Sequence, residues 1–184
     1  MVQVSNRKYK PLHQRFSELD NKVVSAFCDS FNGVEWLPDF KDVKDEYCGI
    51  DLQLTATSKN KQDTYDIEIK SRVTLDDFRL ATDCFFEWNK WFKLCQWDNN
   101  KKLYIVIYPN CNKIAVWTVN SRLFRTSEKE FVEVKRNTCR GNYTKQKLMY
   151  RFKMKDAKVF DFNLSDYKSK YNALYSEITK ATKK

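Results

Sequence analysis

The reading of this chain turns on two short runs: Gly49-Ile50-Asp51-Leu52-Gln53-Leu54 and Asp66-Ile67-Glu68-Ile69-Lys70-Ser71. In the first, Ile50, Leu52 and Leu54 alternate with Asp51 and Gln53. In the second, Ile67 and Ile69 alternate with Asp66, Glu68 and Lys70. A period of two marks a β-strand with one face toward a core. Thr57 to Asp63 (TSKNKQD) is polar and reads as a turn, so the runs pair as an antiparallel hairpin. Side chains two apart share a face. If the apolar faces align, Asp51, Glu68 and Lys70 gather on the opposite one.

Outward from the hairpin, the spacing predicts a helix from Leu12 to Phe31, where Phe16, Leu19, Val23, Phe27 and Phe31 form one stripe. Pro11 suits its first turn and Gly33 its end. Val34 to Leu37 reads as a strand and residues 38–48 as a polar loop. After the hairpin, Thr74 to Trp97 reads as a helix apolar around most of its surface. Leu103 to Tyr108 is continuously apolar, as in an interior strand. Ile114 to Val119 reads as another strand, Phe131 to Lys135 and Lys147 to Met154 as two short ones, and Ser165 onward as a closing helix. This order predicts an α/β or α+β layered domain with a mixed central sheet flanked by helices, residues 1–120 forming the core and 121–184 a basic β/α extension of the same domain.

Composition narrows the class. The chain has 184 residues, enough for roughly one domain. Its formal net charge is +10, with 34 Lys and Arg against 24 Asp and Glu. No run approaches the roughly 20 apolar residues of a membrane span, and the start shows no signal-peptide pattern. A non-secreted protein without membrane contact is therefore expected, cytoplasmic or, if viral, in the nucleoid or host-cell interior. Six cysteines and one histidine show no paired ligand spacing, which argues against a zinc site and for free thiols.

Two carboxylates such as Asp51 and Glu68, a few ångströms apart, make an oxygen site for a hard divalent cation. Lys70 beside them could orient or deprotonate a water and offset charge on a reacting phosphate. The same alternation is also how a solvated strand face reads. Asp20 sits on the apolar stripe between Phe16 and Val24, where an acid needs a partner. Two readings stay open for it: a site acid, or the cap of a helix starting at Asn21.

With the element order, Gly49-Ile50-Asp51 and Asp66 to Ser71 resemble the PD-(D/E)XK nuclease superfamily, whose core is a helix, three strands, a helix and a further strand. The resemblance spans about Leu12 to Val119, although Ile50 stands where the motif name has proline. It implies a restriction-endonuclease-like core and metal-dependent phosphodiester hydrolysis with Mg²⁺ or Mn²⁺. Asp51 and Glu68 would bind the metal and Lys70 would be the catalytic lysine. Many members carry another metal-facing acid on the first helix, which Asp20 matches by position. His13, one heptad earlier, resembles the metal-binding histidine of viral cap-snatching endonucleases.

Charge is unevenly divided. Residues 39–68 carry a net −4 and residues 122–158 a net +8. The basic half suits phosphate contacts. Gln53, Ser71, Arg72, Arg136, Arg140, Lys145 and Lys147 are the candidate nucleic-acid contacts, with Cys139 to Lys145 as a loop reaching a groove or a single strand. DNA is expected ahead of RNA, since DNA endonucleases of phage or mobile-element type are the larger group within the resemblance. Double-strand cutting by this core often needs two active sites, which would call for a homodimer. The competing readings are a cap-snatching-like RNA endonuclease, a nucleic-acid-binding module without hydrolysis, and a protein-interaction domain.

Overall fold

The computed structural model describes residues 10–31, 35–38, 50–58, 61–90, 100–138 and 141–182. The first helix, α1, runs Lys10–Asp29. Strands β1 (Glu35–Pro38), β2 (Leu52–Ser58) and β3 (Lys61–Ser71) follow as an antiparallel meander. Strand β4 (Asp83–Glu87) leaves this sheet, and β5 (Lys101–Tyr108) returns parallel to β3. Strand β6 (Lys113–Val119), helix α2 (Ser121–Thr126), the long strands β7 (Glu128–Thr138) and β8 (Gly141–Lys153), β9 (Lys158–Asp161) and helix α3 (Ser165–Thr182) complete the chain.

The result is a mixed α and β fold. A six-stranded mixed sheet has the order β1-β2-β3-β5-β6-β9, and a three-stranded sheet has the order β4-β8-β7. Two cores explain the layering. On one face of the large sheet, Leu52, Leu54, Ile67, Ile69, Ile105 and Ile107 pack with Val24 and Phe27 of α1 and Tyr167 of α3. On the other, Tyr104, Val106 and Trp117 pack with Cys84, Phe86, Tyr150 and Phe152 of the small sheet. Both faces of β5 are thus covered, which is why its sequence is continuously apolar.

The sheets are tied by polar contacts as well as by packing. Tyr104 donates its hydroxyl to the Phe85 carbonyl at 3.0 Å, and Trp117 Nε1 donates to the Lys153 carbonyl at 3.2 Å. Beside this core lies a buried polar cluster. Asp66 pairs with Lys102 and accepts from Gln53 Nε2 at 2.6 Å and Asn100 Nδ2 at 3.3 Å. Both members of that ion pair are buried, so each needs the other.

Several expectations are corrected. The stretch predicted as a helix from Thr74 to Trp97 holds a short 3₁₀ turn at Phe78–Leu80, then β4, and becomes helical only at residues 88–90. Its aromatics feed the small sheet: Phe86 stacks on Phe152 and Trp88 on Tyr150. Residues 91–97 of that stretch, Trp91 included, lie outside the described residues. The predicted turn from Thr57 to Asp63 is much shorter, because β2 and β3 pair out to Ser58 and Lys61. The two short strands predicted in the extension are one long hairpin, and Gly141 to Lys145 belong to β8 rather than a loop. Asp20 does not cap a helix beginning at Asn21, since α1 starts ten residues earlier, at Lys10. Residues 38–48, predicted as a loop, lie outside the described residues except Pro38, which ends β1. No described helix is long and apolar enough to cross a membrane. Cys28, Cys84 and Cys111 are free thiols.

Trp117 has no solvent-exposed surface and touches both sheets. Trp117→Ala should cost about 3–5 kcal/mol. At about 2–4 °C per kcal/mol for a chain this size, the melting temperature should fall by roughly 6–20 °C in calorimetry. A drop of a degree or two would show that the sheets do not depend on this ring.

Candidate active site

The site forms where β2 begins against β3. Leu52 pairs with Ile67 as the last rung of the ladder, and Asp51 immediately precedes it. Its backbone N–H donates to the Ile67 carbonyl at 2.9 Å, and its Oδ2 accepts from the Ile69 amide at 2.7 Å. Asp51 and Leu52 thus both meet Ile67 at the end of the ladder, and the Asp51 carboxylate caps the Ile69 amide. Asn21 of α1 holds the same residue from the helix side, donating Nδ2 to the Asp51 carbonyl at 3.2 Å.

Glu68 is wholly buried. Its Oε1 faces two ammonium groups, Lys70 Nζ at 3.1 Å and Lys90 Nζ in a closer contact. Its Oε2 is buried with no hydrogen-bond partner among the described residues, and so is Asn21 Oδ1. Burial pushes the Glu68 carboxyl up to about 7, and the Asp51 charge adds to this despite the two lysines. For Lys70, burial pulls downward, but Glu68 and Asp51 more than offset it and raise the ammonium above its usual range. Lys70 is thus a fixed cation at neutral pH.

Asp20 lies behind this pair. Its Oδ1 accepts from Ser71 Oγ at 3.0 Å and from the Tyr167 hydroxyl at 2.5 Å. Burial raises its carboxyl above the ordinary range; the Tyr167 and Ser71 hydroxyls oppose the shift, while Asp51 adds to it. The fold thus brings Asp20, Asp51, Glu68 and Lys70 into one electrostatic cluster. In front of Glu68 and Lys70 is a cavity of about 390 Å³, also lined by Lys90, Arg72, Tyr104 and residues of β4, β7 and β8.

No family model, curated protein or solved structure matches this chain. The function therefore has to be read from the residues themselves.

The other candidates fall in different places. Gln53 is held by Asp66, and Ser71 by Asp20 and Tyr167. Lys147 pairs with Glu87 at the edge of the cavity. Arg136 and Lys145 lie toward the far end of the β7–β8 hairpin, in register with Tyr143 and Val134. Their side chains, that of His13 and all of Arg140 lie outside the described residues. Among the described residues, no three His, Cys, Asp or Glu side chains form a metal-holding group.

Sequence reasoning missed Lys90, Asn21 and Tyr167. Lys90 lay within a stretch read as helix, where a lone lysine gives no signal. Tyr167 reaches Asp20 from 147 positions away. Asn21 adjoins Asp20, but nothing local says that its amide ties the next element.

A Glu68 that ionises near pH 7 when folded, against 4.5 unfolded, sets a stability slope. Between those values the unfolded chain has released its proton and the folded chain keeps it. Stability should therefore fall as pH rises from about 4.5 to 7, by at most about 1.4 kcal/mol per pH unit, and level off above. Urea midpoints taken with EDTA present should show this fall in the wild type and lose it in Glu68→Gln. Equal slopes in both would mean that Glu68 ionises normally.

Proposed function

We propose that this chain is a divalent-metal-dependent nuclease with a restriction-endonuclease-like core, hydrolysing phosphodiester bonds in DNA ahead of RNA. One observation carries the reading: the Glu68 oxygen Oε2, buried without a partner beside Asp51 in a cluster that also holds Lys70. A carboxylate oxygen so placed is costly unless something unseen in the polypeptide satisfies it. The element order agrees with that core in its first helix, its three strands and β5 parallel to β3, but where the core has its second helix the described residues hold a 3₁₀ turn, β4 and a helical start at residues 88–90.

The donors are hard oxygens, which suit Mg²⁺ or Mn²⁺. Asp51 and Glu68 would hold the ion, with Asp20 behind them, and it would polarise a phosphoryl oxygen as a Lewis acid. The chain's own contribution is electrostatic. Lys70, kept cationic by its two acidic neighbours, sits where charge builds on a reacting phosphate and stabilises that charge. Asp51 is held rigid by three hydrogen bonds, to Ile67, Ile69 and Asn21. Ser71 and Tyr167 fix Asp20 in the same way. The basic extension supplies counter-charge for a polyanion.

A second reading, a nucleic-acid-binding module without hydrolysis, is favoured by the two lysines that already neutralise Glu68 Oε1.

Incubating the protein with plasmid DNA, single-stranded DNA and single-stranded RNA, with Mg²⁺, Mn²⁺ or EDTA, separates the two readings. Cutting should require the metal and fall roughly 100- to 1,000-fold in Lys70→Ala, with the fold intact by circular dichroism. Salt-sensitive binding without cutting under any metal, unchanged in Lys70→Ala, would instead establish the binding module.

A further inference from the structure

We infer that the site takes a single strand, or the unpaired end of a duplex, and not the continuous double helix. This rests on the nuclease reading of the same site and adds its substrate class. On the face of β3 that carries Glu68 and Lys70, Glu68 is wholly covered while Lys70 keeps 42% of its side chain exposed. The small sheet supplies the cover: Phe85, Phe86 and Glu87 of β4, Val132 of β7 and Met149 of β8 wall the cavity against Glu68 and Tyr104 of the large sheet. The cover is structural, because Phe86 is 1% exposed and packs on Phe124 and Phe152. Tyr104 also pins Phe85 to the large sheet through its hydroxyl. Closing the site is thus part of making the core, so a rigid cylinder cannot reach Glu68 without breaking the packing that folds the chain.

The size of the space points the same way. A volume of about 390 Å³ equals a cube roughly 7 Å on a side. It lies within the roughly 300–1,000 Å³ of pockets that enclose a small ligand, so it can enclose one extruded nucleotide. The lining matches that guest. Lys70, Lys90 and Arg72 line the cavity as three cations, alongside the buried Glu68 and two wall carboxylates, Glu133 and a Glu87 that pairs with Lys147. Lys90 spends one donor on Glu68, and an ammonium has three. Phe85 adds part-exposed apolar ring surface. Cations for the backbone and rings for the base are the two parts of a single-strand site. Lys90 and Arg72 are the groups assigned to the entering phosphates; neither lies in the Asp51–Glu68–Lys70 cluster read from the sequence.

The test uses the full chain and five probes: single-stranded DNA and RNA oligonucleotides, a blunt duplex, the same duplex with an unpaired flap, and a relaxed closed-circular duplex. Cutting is followed with Mn²⁺ and binding with EDTA. The single strands and the flap should be cut and should compete for binding, while the closed circle is neither cut nor an effective competitor. Which of the DNA and RNA strands is cut identifies the polymer. In Lys90→Ala and Arg72→Ala, the slope of log affinity against log salt for the single strand should fall by about 0.7 for each phosphate that is no longer neutralised, a change that mere loosening of the fold would not produce. Cutting of the closed circle at a rate like that of the single strand overturns the inference and leaves the nuclease reading standing. If no probe is cut, the nuclease reading fails, and the binding comparison still decides: preference for the single strand sustains the strand selectivity, and equal affinity with unchanged salt slopes rejects it.

Discussion

Everything near the site depends on one unfavourable placement, the burial of the Glu68 carboxylate on a strand whose two faces are both covered. A charge removed from water in this way must find opposite charges or give up its ionisation. The protein does part of each. Lys70 and Lys90 sit on one oxygen, the other is left without a partner, and the carboxyl is pushed toward neutral pH. The surrounding fold supplies what this requires. Strand β3 provides Lys70 two residues on, the chain turns helical after β4 to bring Lys90, and the Asp51 carboxylate is anchored on the Ile69 amide.

The same large-sheet face carries a second buried charge, Asp66, only two residues before Glu68, and the two are handled differently. Asp66 is answered on both oxygens, by Lys102 on one and by Gln53 and Asn100 on the other. It is a closed polar network of the kind that holds a core in one arrangement. Glu68 has one oxygen over-supplied and the other bare. That contrast within one strand sets Glu68, with an oxygen no described residue satisfies, apart from the closed network around Asp66.

The hairpin was legible because period-two alternation and a polar turn are local signals. Asp51, Glu68 and Lys70 could be placed on one face without knowing what covered it, and α1 was equally plain from its aromatic stripe. The cover itself was not legible. Phe85, Phe86 and Trp88 read as part of a helix apolar around most of its surface because short apolar runs do not distinguish strand from buried helix, and pairing with β8, more than sixty residues later, decides the matter. The charged alternation in Asp66 to Lys70 suggested a wet face. In the fold Asp66 and Glu68 on that face are buried and Lys70 stays half-exposed, because a second sheet whose strands lie far apart in the chain closes over part of it. Tyr167 and Lys90 escaped for the same reason: their roles exist only after distant segments meet.

The contact between Asp20 and Tyr167 joins the first helix to the last across 147 positions. A chain emerging from the ribosome can form α1 and the β2–β3 hairpin early, but Asp20 stays without its phenol until α3 has been made. Long-range closures of this kind are late events in folding. The acidic cluster is therefore finished by the final helix, and until that helix docks, a nascent chain holds the cluster's residues with the Asp20 corner still unset.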